Sequence, residues 1–308
     1  MPRFSIIIPV FNKEKFVAKT LKSVLAQTFT DYEIIIVNDG STDGSEQAIL
    51  AIDDERIRYF LKDNEGVAIA RNYGLSKISS DYICFLDADD FWYPKFLFTM
   101  DFYIKRLPDE SVFACAIEIE TNRKVFKAKY SIDQKEEFKI VNFFHASQKE
   151  AVMWTSAVCV HKDVLVKSGA FDKDLTVSED TDLWIRIGLR YRVVFIRKIL
   201  ARYVFDKKSI SRNLDYIFEY LFFEKYETLE KRNTSLKKYM DQNRFSCIIK
   251  YKLKGDLKSA AKMYTLIDLE NLSRKKKLLL ELSPGLLRIL VRLQRFSTNI
   301  GLGSSVFR

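Results

Sequence analysis

The feature that most constrains this chain is an alternation of β-branched apolar runs with helix-period segments over its first 107 residues. Phe4–Val10 and Glu33–Asn38 are continuous Ile/Val runs, which predicts strands buried on both faces rather than half-exposed ones. Arg58–Leu61 and Tyr82–Asp87 read as the third and fourth strands. Between them, Phe16, Val17, Thr20, Leu21, Val24 and Leu25 recur at helical spacing, and Ser45–Ile52 and Val67–Ile78 read as further helices. Pro94 opens a helix to about Leu107, at an early position that tolerates proline.

Such an alternation predicts a parallel sheet covered by helices on both faces. Ligands bind such sheets at the carboxyl ends of the strands, where Asp39 and Asp87 fall. After Val112 the pattern changes. Val112–Glu120, Val125–Lys129, Ala157–His161, Val193–Ile196 and Ile199–Phe205 are predicted strands, some of them antiparallel. Helices are predicted at Lys162–Gly169 and Asp180–Leu189, and from Leu214 onward helix follows helix. The expectation is an α/β domain over 1–212 and a basic helical region over 213–308.

Hydrophobic residues make up 47% of the 308 and charged residues 30%, enough for a packed core with a solvated surface. Cys84, Cys115, Cys159 and Cys247 are far apart and three lie in apolar runs, as reduced core thiols of a cytosolic protein do. His145 and His161 are the only histidines, which argues against a His/Cys zinc site. The N-terminal run is too short and too β-branched for a signal peptide. No apolar run approaches the roughly 18 residues of a membrane-spanning helix.

The net charge of +10 is unevenly placed: Lys and Arg exceed Asp and Glu by 12 over 207–308, so 1–206 is nearly neutral. This basic region reads in two ways. One is peripheral contact with an anionic membrane surface through 273–297, and the other is core packing with a solvated Lys face. Its cations are interleaved with Leu and Ile and lack an aromatic platform, so nucleic acid is not an expected partner.

Phe85-Leu86-Asp87-Ala88-Asp89-Asp90 ends an apolar run in three carboxylates within four residues. Unit charges about 4 Å apart repel by roughly 4 kcal/mol at an effective dielectric of about 20. Capping of the helix after Pro94 accounts for Asp89 or Asp90, but not for Asp87 beside the strand. A hard divalent cation would offset the repulsion, because such ions bind through one or two carboxylates plus substrate phosphates, with Asp87 and Asp89 as its candidates and Asp90 as a cap of the next helix.

Three other segments each carry two readings. Asn38-Asp39-Gly40-Ser41-Thr42-Asp43-Gly44-Ser45 is a turn and N-cap, or a ligand loop in which Asp39 accepts from a base N–H. Arg71 is an ion-paired helix residue, or a diphosphate or base contact. Ser178-Glu179-Asp180-Thr181-Asp182 is an N-cap with acids complementing the helix dipole, or the seat of a general base kept ionised by that helix end. No Gly-x-Gly-x-x-Gly follows the first strand and no Walker A sequence occurs, which argues against a dinucleotide-dependent oxidoreductase. The Gly-rich loop of a sugar nucleotidyltransferase is also lacking.

Taken in order, SIIIPVFN, EIIIVNDGSTDGS, NEGVAIARNYGL, FLDADD, SGAFD and SEDTDLWIRIG resemble the motif series of the family 2 inverting glycosyltransferases of bacterial polysaccharide synthesis. The resemblance runs from Ser5 to about Ser211. It implies a GT-A fold, a Rossmann-like, mainly parallel mixed sheet with helices on both faces. It also implies metal-dependent transfer of a sugar from a nucleotide-sugar, a UDP-sugar foremost, to a hydroxyl of a saccharide or lipid-linked saccharide.

On this resemblance Pro9, Phe11 and Glu14 border the nucleotide pocket, Asp39 pairs with uracil and Arg71 contacts the nucleotide. Asp87 faces the ribose and Asp89 holds Mn²⁺ or Mg²⁺. Asp180 matches the catalytic base. Trp154, Ser156, Glu179, Asp182 and Gly169-Ala170-Phe171-Asp172 fall on the acceptor side. One position departs from the pattern. Asp206 stands where many members carry a His that reaches the metal, so it is expected as an oxygen ligand or as a partner of Lys207 or Lys208. The resemblance places the enzyme in the cytoplasm, at the inner face of the cytoplasmic membrane if the basic helices dock there.

Overall fold

The computed structural model describes residues 1–121, 124–133, 135–204 and 220–299. The chain divides into two units, one of Met1–Ala146 with Ala151–Asp206 and one of Ser147–Glu150 with Lys207–Arg308.

The first unit runs β1 (Phe4–Val10), α1 (Val17–Leu25), β2 (Tyr32–Asp39), α2 (Ser45–Leu50), β3 (Ile57–Lys62), α3 (Val67–Leu75) and β4 (Tyr82–Phe85). There follow β5 (Phe91–Trp92), α4 (Phe96–Arg106), β6 (Val112–Glu120), β7 (Val125–Lys127), β8 (Phe138–Val141) and α5 (Phe143–Ala146). The unit ends with β9 (Val158–His161), α6 (Lys162–Ser168), α7 (Glu179–Gly188) and β10 (Val193–Val204).

Every residue of β1 and β2 is buried, the two-sided burial that their unbroken Ile/Val runs predict. The sheet follows the order β3-β2-β1-β4-β9-β6-β10-β5, with β7 on β6 and β8 on β10. Its three longest ladders, β1–β2, β2–β3 and β6–β10, are parallel. β9 runs antiparallel between β4 and β6. The expected GT-A layout is therefore present, and β1, β2, β4, β6 and β10 all end on one edge of the sheet.

Several local expectations need correction. Val193–Ile196 and the segment from Ile199 belong to one strand, β10, whose register on β6 shifts between Ile196 and Ile199 and again before Ala201. That bulge breaks the apparent periodicity and makes one strand read as two. β5 and β8 are too short for periodicity to reveal. The helix after Pro94 starts at Phe96, with Lys95 at its N-cap position and no side-chain cap. Neither Asp89 nor Asp90 caps it.

Close packing of α3 on β1 sets up the site. A Cβ on Gly74 would come within 2.6 Å of Ile7 Cγ2, so glycine is what permits this approach. Arg71, one turn earlier on α3, is thereby directed to the end of β4.

The second unit contains α8 (Tyr220–Glu224), α9 (Glu227–Glu230), α10 (Thr234–Lys254), α11 (Leu257–Tyr264), α12 (Arg274–Glu281) and α13 (Pro284–Asn299). α10 organises it. Asn233 Oδ1 accepts from Leu236 N at its start, and Gly255 ends it with a left-handed φ of 94°. Leu236, Met240, Phe245, Ile248 and Ile249 supply its buried stripe. Among the described residues no helix is long and apolar enough to cross a membrane.

Candidate active site

The loops after β1 and β2 are laced together. Asn12 N donates to Ser41 Oγ at 3.0 Å, and Thr42 N donates to Asn12 Oδ1 at 2.8 Å. Gly44 N donates to Glu14 Oε2 at 3.0 Å. Glu14 thus supports the loop that carries Asp39, while Phe11 stands exposed beside it.

Asp39 ends β2 in register with Lys62 on β3. Its Oδ1 accepts from Lys62 Nζ at 2.7 Å and Glu65 N at 3.1 Å, and its Oδ2 accepts from Gly66 N at 2.9 Å. A carboxylate offers about four lone-pair sites. One remains on Oδ2, enough for a single further N–H.

The acidic segment after β4 is held from both sides. Thr20 Oγ1, on α1, lies 2.9 Å from Ala88 O and 2.8 Å from Asp90 O. Asp87 N donates to Ser156 Oγ at 3.1 Å, and Ser156 Oγ donates to Asp90 Oδ2 at 2.5 Å. Val204 N donates to Asp90 Oδ1 at 2.9 Å. Burial, reinforced by the charges of Asp89 and Asp87, pushes the Asp90 carboxyl well above the usual range. Asp90 is thus a buried brace between the acidic loop, the segment before β9 and the end of β10. This differs from the helix-cap role anticipated for it.

Asp87 and Asp89 point elsewhere. The Asp87 side chain is 35% exposed and accepts from Arg71 at 2.7 Å. Asp89 meets Lys13 Nζ at 2.5 Å. Burial raises the Asp89 carboxyl, Lys13 counters, and Asp87 raises it further. Two crowded carboxylates relieved by an ammonium form a donor set that suits a hard divalent cation. Among the described residues no group of three His, Cys, Asp or Glu is gathered for a metal. A divalent cation bound here would have Asp89 and Asp87 as its protein ligands, with substrate phosphate and water as the remaining oxygen donors. Asp206 lies outside the described residues.

Arg71 joins this loop to α7. Its Nη2 donates to Asp87 Oδ1 and its Nη1 to Glu179 Oε1, both at 2.7 Å, and its guanidinium lies 5.1 Å over the Phe171 ring. The residue is only 4% exposed, so its place is beneath the site rather than on an open diphosphate surface. Burial alone would lower its pKa, but the charges of Asp87, Glu179 and Asp180 outweigh that and hold it firmly charged. Glu179 is less well compensated. Burial and the neighbouring Asp180 charge push its carboxyl up to about 7 against the opposing pull of Arg71.

Asp180 opens α7. Thr155 Oγ1 donates to Asp180 Oδ2 at 3.4 Å, and Thr181 N donates to Oδ1 at 2.5 Å. Ser178 before it has a left-handed φ of 68° and makes no side-chain cap bond, so the N-cap reading of Ser178 does not hold. Thr155 and Ser156 share one 3₁₀ turn, Thr155–Ala157. Thr155 reaches Asp180 and Ser156 reaches Asp87 and Asp90, so this turn ties the two acidic segments together.

The acceptor-side expectations divide. Trp154 is partly exposed and packs 5.1 Å from Tyr203, near the acidic loop. Asp182 is fully buried against Arg186 Nε at 2.8 Å, which takes it away from any acceptor. Arg186 also donates to Ala170 O at 2.7 Å and to Ser168 O. Asn72 clamps the backbone of Phe171 with two hydrogen bonds, of 2.8 and 3.0 Å. The segment around Phe171 is therefore a floor for Arg71 and α7. Lys13, Thr20 and Thr155 escaped sequence reasoning. Their proximity in sequence to Phe11, Val17 and Trp154 was the only signal.

A family profile described as Glycosyl transferase family 2 matches residues 5–175. An uncharacterised glycosyltransferase of Rickettsia typhi is 29% identical over 71% of this chain and 69% of its own length. Another, of Rickettsia felis, is 32% identical over 65% of this chain but only 32% of its own length. A GalNAc(5)-diNAcBac-PP-undecaprenol beta-1,3-glucosyltransferase of Campylobacter jejuni is 40% identical over 29% of this chain and 30% of its own. Among solved structures, S. aureus TarS 1–349 in complex with UDP-GlcNAc shares the fold, with a TM-score of 0.63 at 18% identity over 81% of this chain and 72% of that one.

Proposed function

The chain belongs to glycosyl transferase family 2, and from that premise we propose that it moves a sugar from a UDP-sugar to a hydroxyl of a saccharide or lipid-linked saccharide, with inversion at the anomeric carbon. One observation carries this reading. Asp87, two residues before Asp89, is tied to the end of α7 that carries Asp180, 93 residues away in sequence, through Arg71 and the Thr155–Ala157 turn. Support for the donor is the UDP-GlcNAc complex of TarS, and support for a lipid-linked acceptor is the name of the Campylobacter relative.

Asp39 offers its remaining Oδ2 lone pair to a base N–H, between the loops that Glu14 and Asn12 fix. Pro9 and Phe11 border that pocket. Asp89 and Asp87 would hold a Mn²⁺ or Mg²⁺, which would supply positive charge to a leaving diphosphate. Arg71 fixes Asp87 from below through its Nη2 hydrogen bond. Asp180 takes the proton of the acceptor hydroxyl as that oxygen bonds to the anomeric carbon and the sugar–phosphate bond breaks. Thr155 and Thr181 keep the Asp180 carboxylate aimed. Positioning of the two reactants supplies much of the acceleration.

Titration calorimetry with a panel of nucleotide sugars, with and without Mn²⁺, tests the donor reading, followed by assay of released UDP. Asp89→Asn is expected to lose metal-dependent donor binding. Absence of nucleotide binding under every metal condition refutes the proposal.

A further inference from the structure

We propose that the outer face of α13, with the basic residues around it, is a docking surface for an anionic lipid membrane. Among the described residues, α13 is anchored through Leu287 and Arg288. Leu287 is buried, and Arg288 donates to the Leu253 carbonyl at 3.1 and 3.3 Å. Leu286, Ile289, Leu290 and Leu293 stand at i, i+3, i+4 and i+7 and remain 38–59% exposed. A helix that serves core packing turns such a stripe inward, and contiguous exposed apolar patches mark interaction sites. The same division occurs in α12, where Leu279 and Leu280 are buried but Leu278 is open, one turn beyond Arg274 and Lys275.

Charge identifies the occupant. Between 273 and 297 there are seven Lys or Arg and one acid, Glu281. Lys276 reaches Gln242 Oε1 at 2.7 Å and Lys277 reaches Glu270 at 2.8 Å, while Glu281 accepts from Tyr264 at 3.1 Å. Arg274, Lys275 and Arg292 are exposed and have no acidic partner among the described residues.

A second copy of the chain would bring these cations against their own kind. A nucleic acid would meet an aliphatic stripe with no stacking platform. Anionic lipid satisfies both halves: the leucines enter the acyl boundary and the cations meet the headgroups.

The test is co-sedimentation of the full-length protein with phosphatidylcholine vesicles, with or without phosphatidylglycerol. Partitioning onto the anionic vesicles is expected to exceed that onto neutral ones by about tenfold or more, and to fall with added salt. Ile289→Asp/Leu293→Asp alters two exposed positions, so its melting temperature is retained while binding drops about tenfold. Arg274→Glu/Arg292→Glu is expected to lose the preference for anionic vesicles. Equal binding to both vesicle types, or unchanged binding by Ile289→Asp/Leu293→Asp, overturns the proposal. So does a dimer in sedimentation equilibrium that this double variant abolishes, with no vesicle binding by the native protein. None of these readouts involves a donor, so failure here leaves the sugar-transfer reading standing.

Discussion

Arg71 in the first unit and Arg244 in the second are surrounded in nearly the same way. Each guanidinium lies 5.1 Å over a phenylalanine ring, Phe171 for one and Phe223 for the other. Each bonds two carboxylates, and each keeps a buried Nε with no acceptor among the described residues. The carboxylates make the difference. The Glu230 and Asp241 side chains around Arg244 are 4% and 0% exposed, whereas Asp87 beside Arg71 is 35% exposed. The closed cluster around Arg244 pins α9 to α10. The open one around Arg71 presents a fixed carboxylate to solvent and links it to Glu179, the neighbour of Asp180 in sequence. A buried charge thus points to function when one of its partners reaches solvent.

Four experiments break or sharpen this contrast. The largest effect is expected for Asp180→Asn, on the open side. Donor binding should persist while transfer falls about 10²–10⁴-fold, the range for loss of a general base. Native turnover in this variant would remove Asp180 from the mechanism.

Next comes the pair of arginines. Arg244→Met strands Glu230 and Asp241, and urea denaturation should show a loss near the lower end of about 3–5 kcal/mol, since Lys237 still reaches Asp241 at 2.6 Å. Arg71→Met should lose less stability, because water can reach Asp87, but more donor affinity. Equal stability losses with unimpaired donor binding would erase the distinction.

A smaller effect is expected at the turn that joins the two acidic segments. Thr155→Val should lower kcat about fivefold with KM unchanged, in line with one hydrogen bond of ~1 kcal/mol. Thr155→Ser, which keeps the hydroxyl, should restore it. A shift in KM alone would mean that Thr155 serves binding.

The smallest effect concerns pH. The Glu179 carboxyl titrates at about 7 in the folded protein against 4.5 as its ordinary value. Between those values the folded state holds a proton that the unfolded state has released, so stability falls as pH rises through the window. The melting temperature of the native protein should therefore drop relative to Glu179→Gln from about pH 4.5 to about pH 7. Parallel melting profiles would show that Glu179 is ionised throughout.

Much of this was legible in the residues. The unbroken Ile/Val runs gave away β1 and β2, because a strand buried on both faces needs no polar alternation. The crowding of Asp87, Asp89 and Asp90 marked the acidic loop, since like charges gather where something offsets them. Two departures share another cause. Asp90 and Asp182 are expected as cap and acceptor residue, and each is instead buried against a partner from another segment or turn, while of the two readings of Arg71 the ion-paired one is seen. Nothing local distinguishes a solvated carboxylate from one enclosed by Ser156 or Arg186.

The sequence by itself determined the longer elements of the first unit's α/β half, their order and the strand ends where chemistry gathers, because periodicity is a local property carried along the chain. Only the tertiary structure decided which acid does what. Ser156 meets Asp90 across 66 positions, Lys13 meets Asp89 across 76 and Arg71 meets Glu179 across 108. The field at a carboxylate comes from whatever folding brings within a few ångströms of it, and that proximity is not written at any one position.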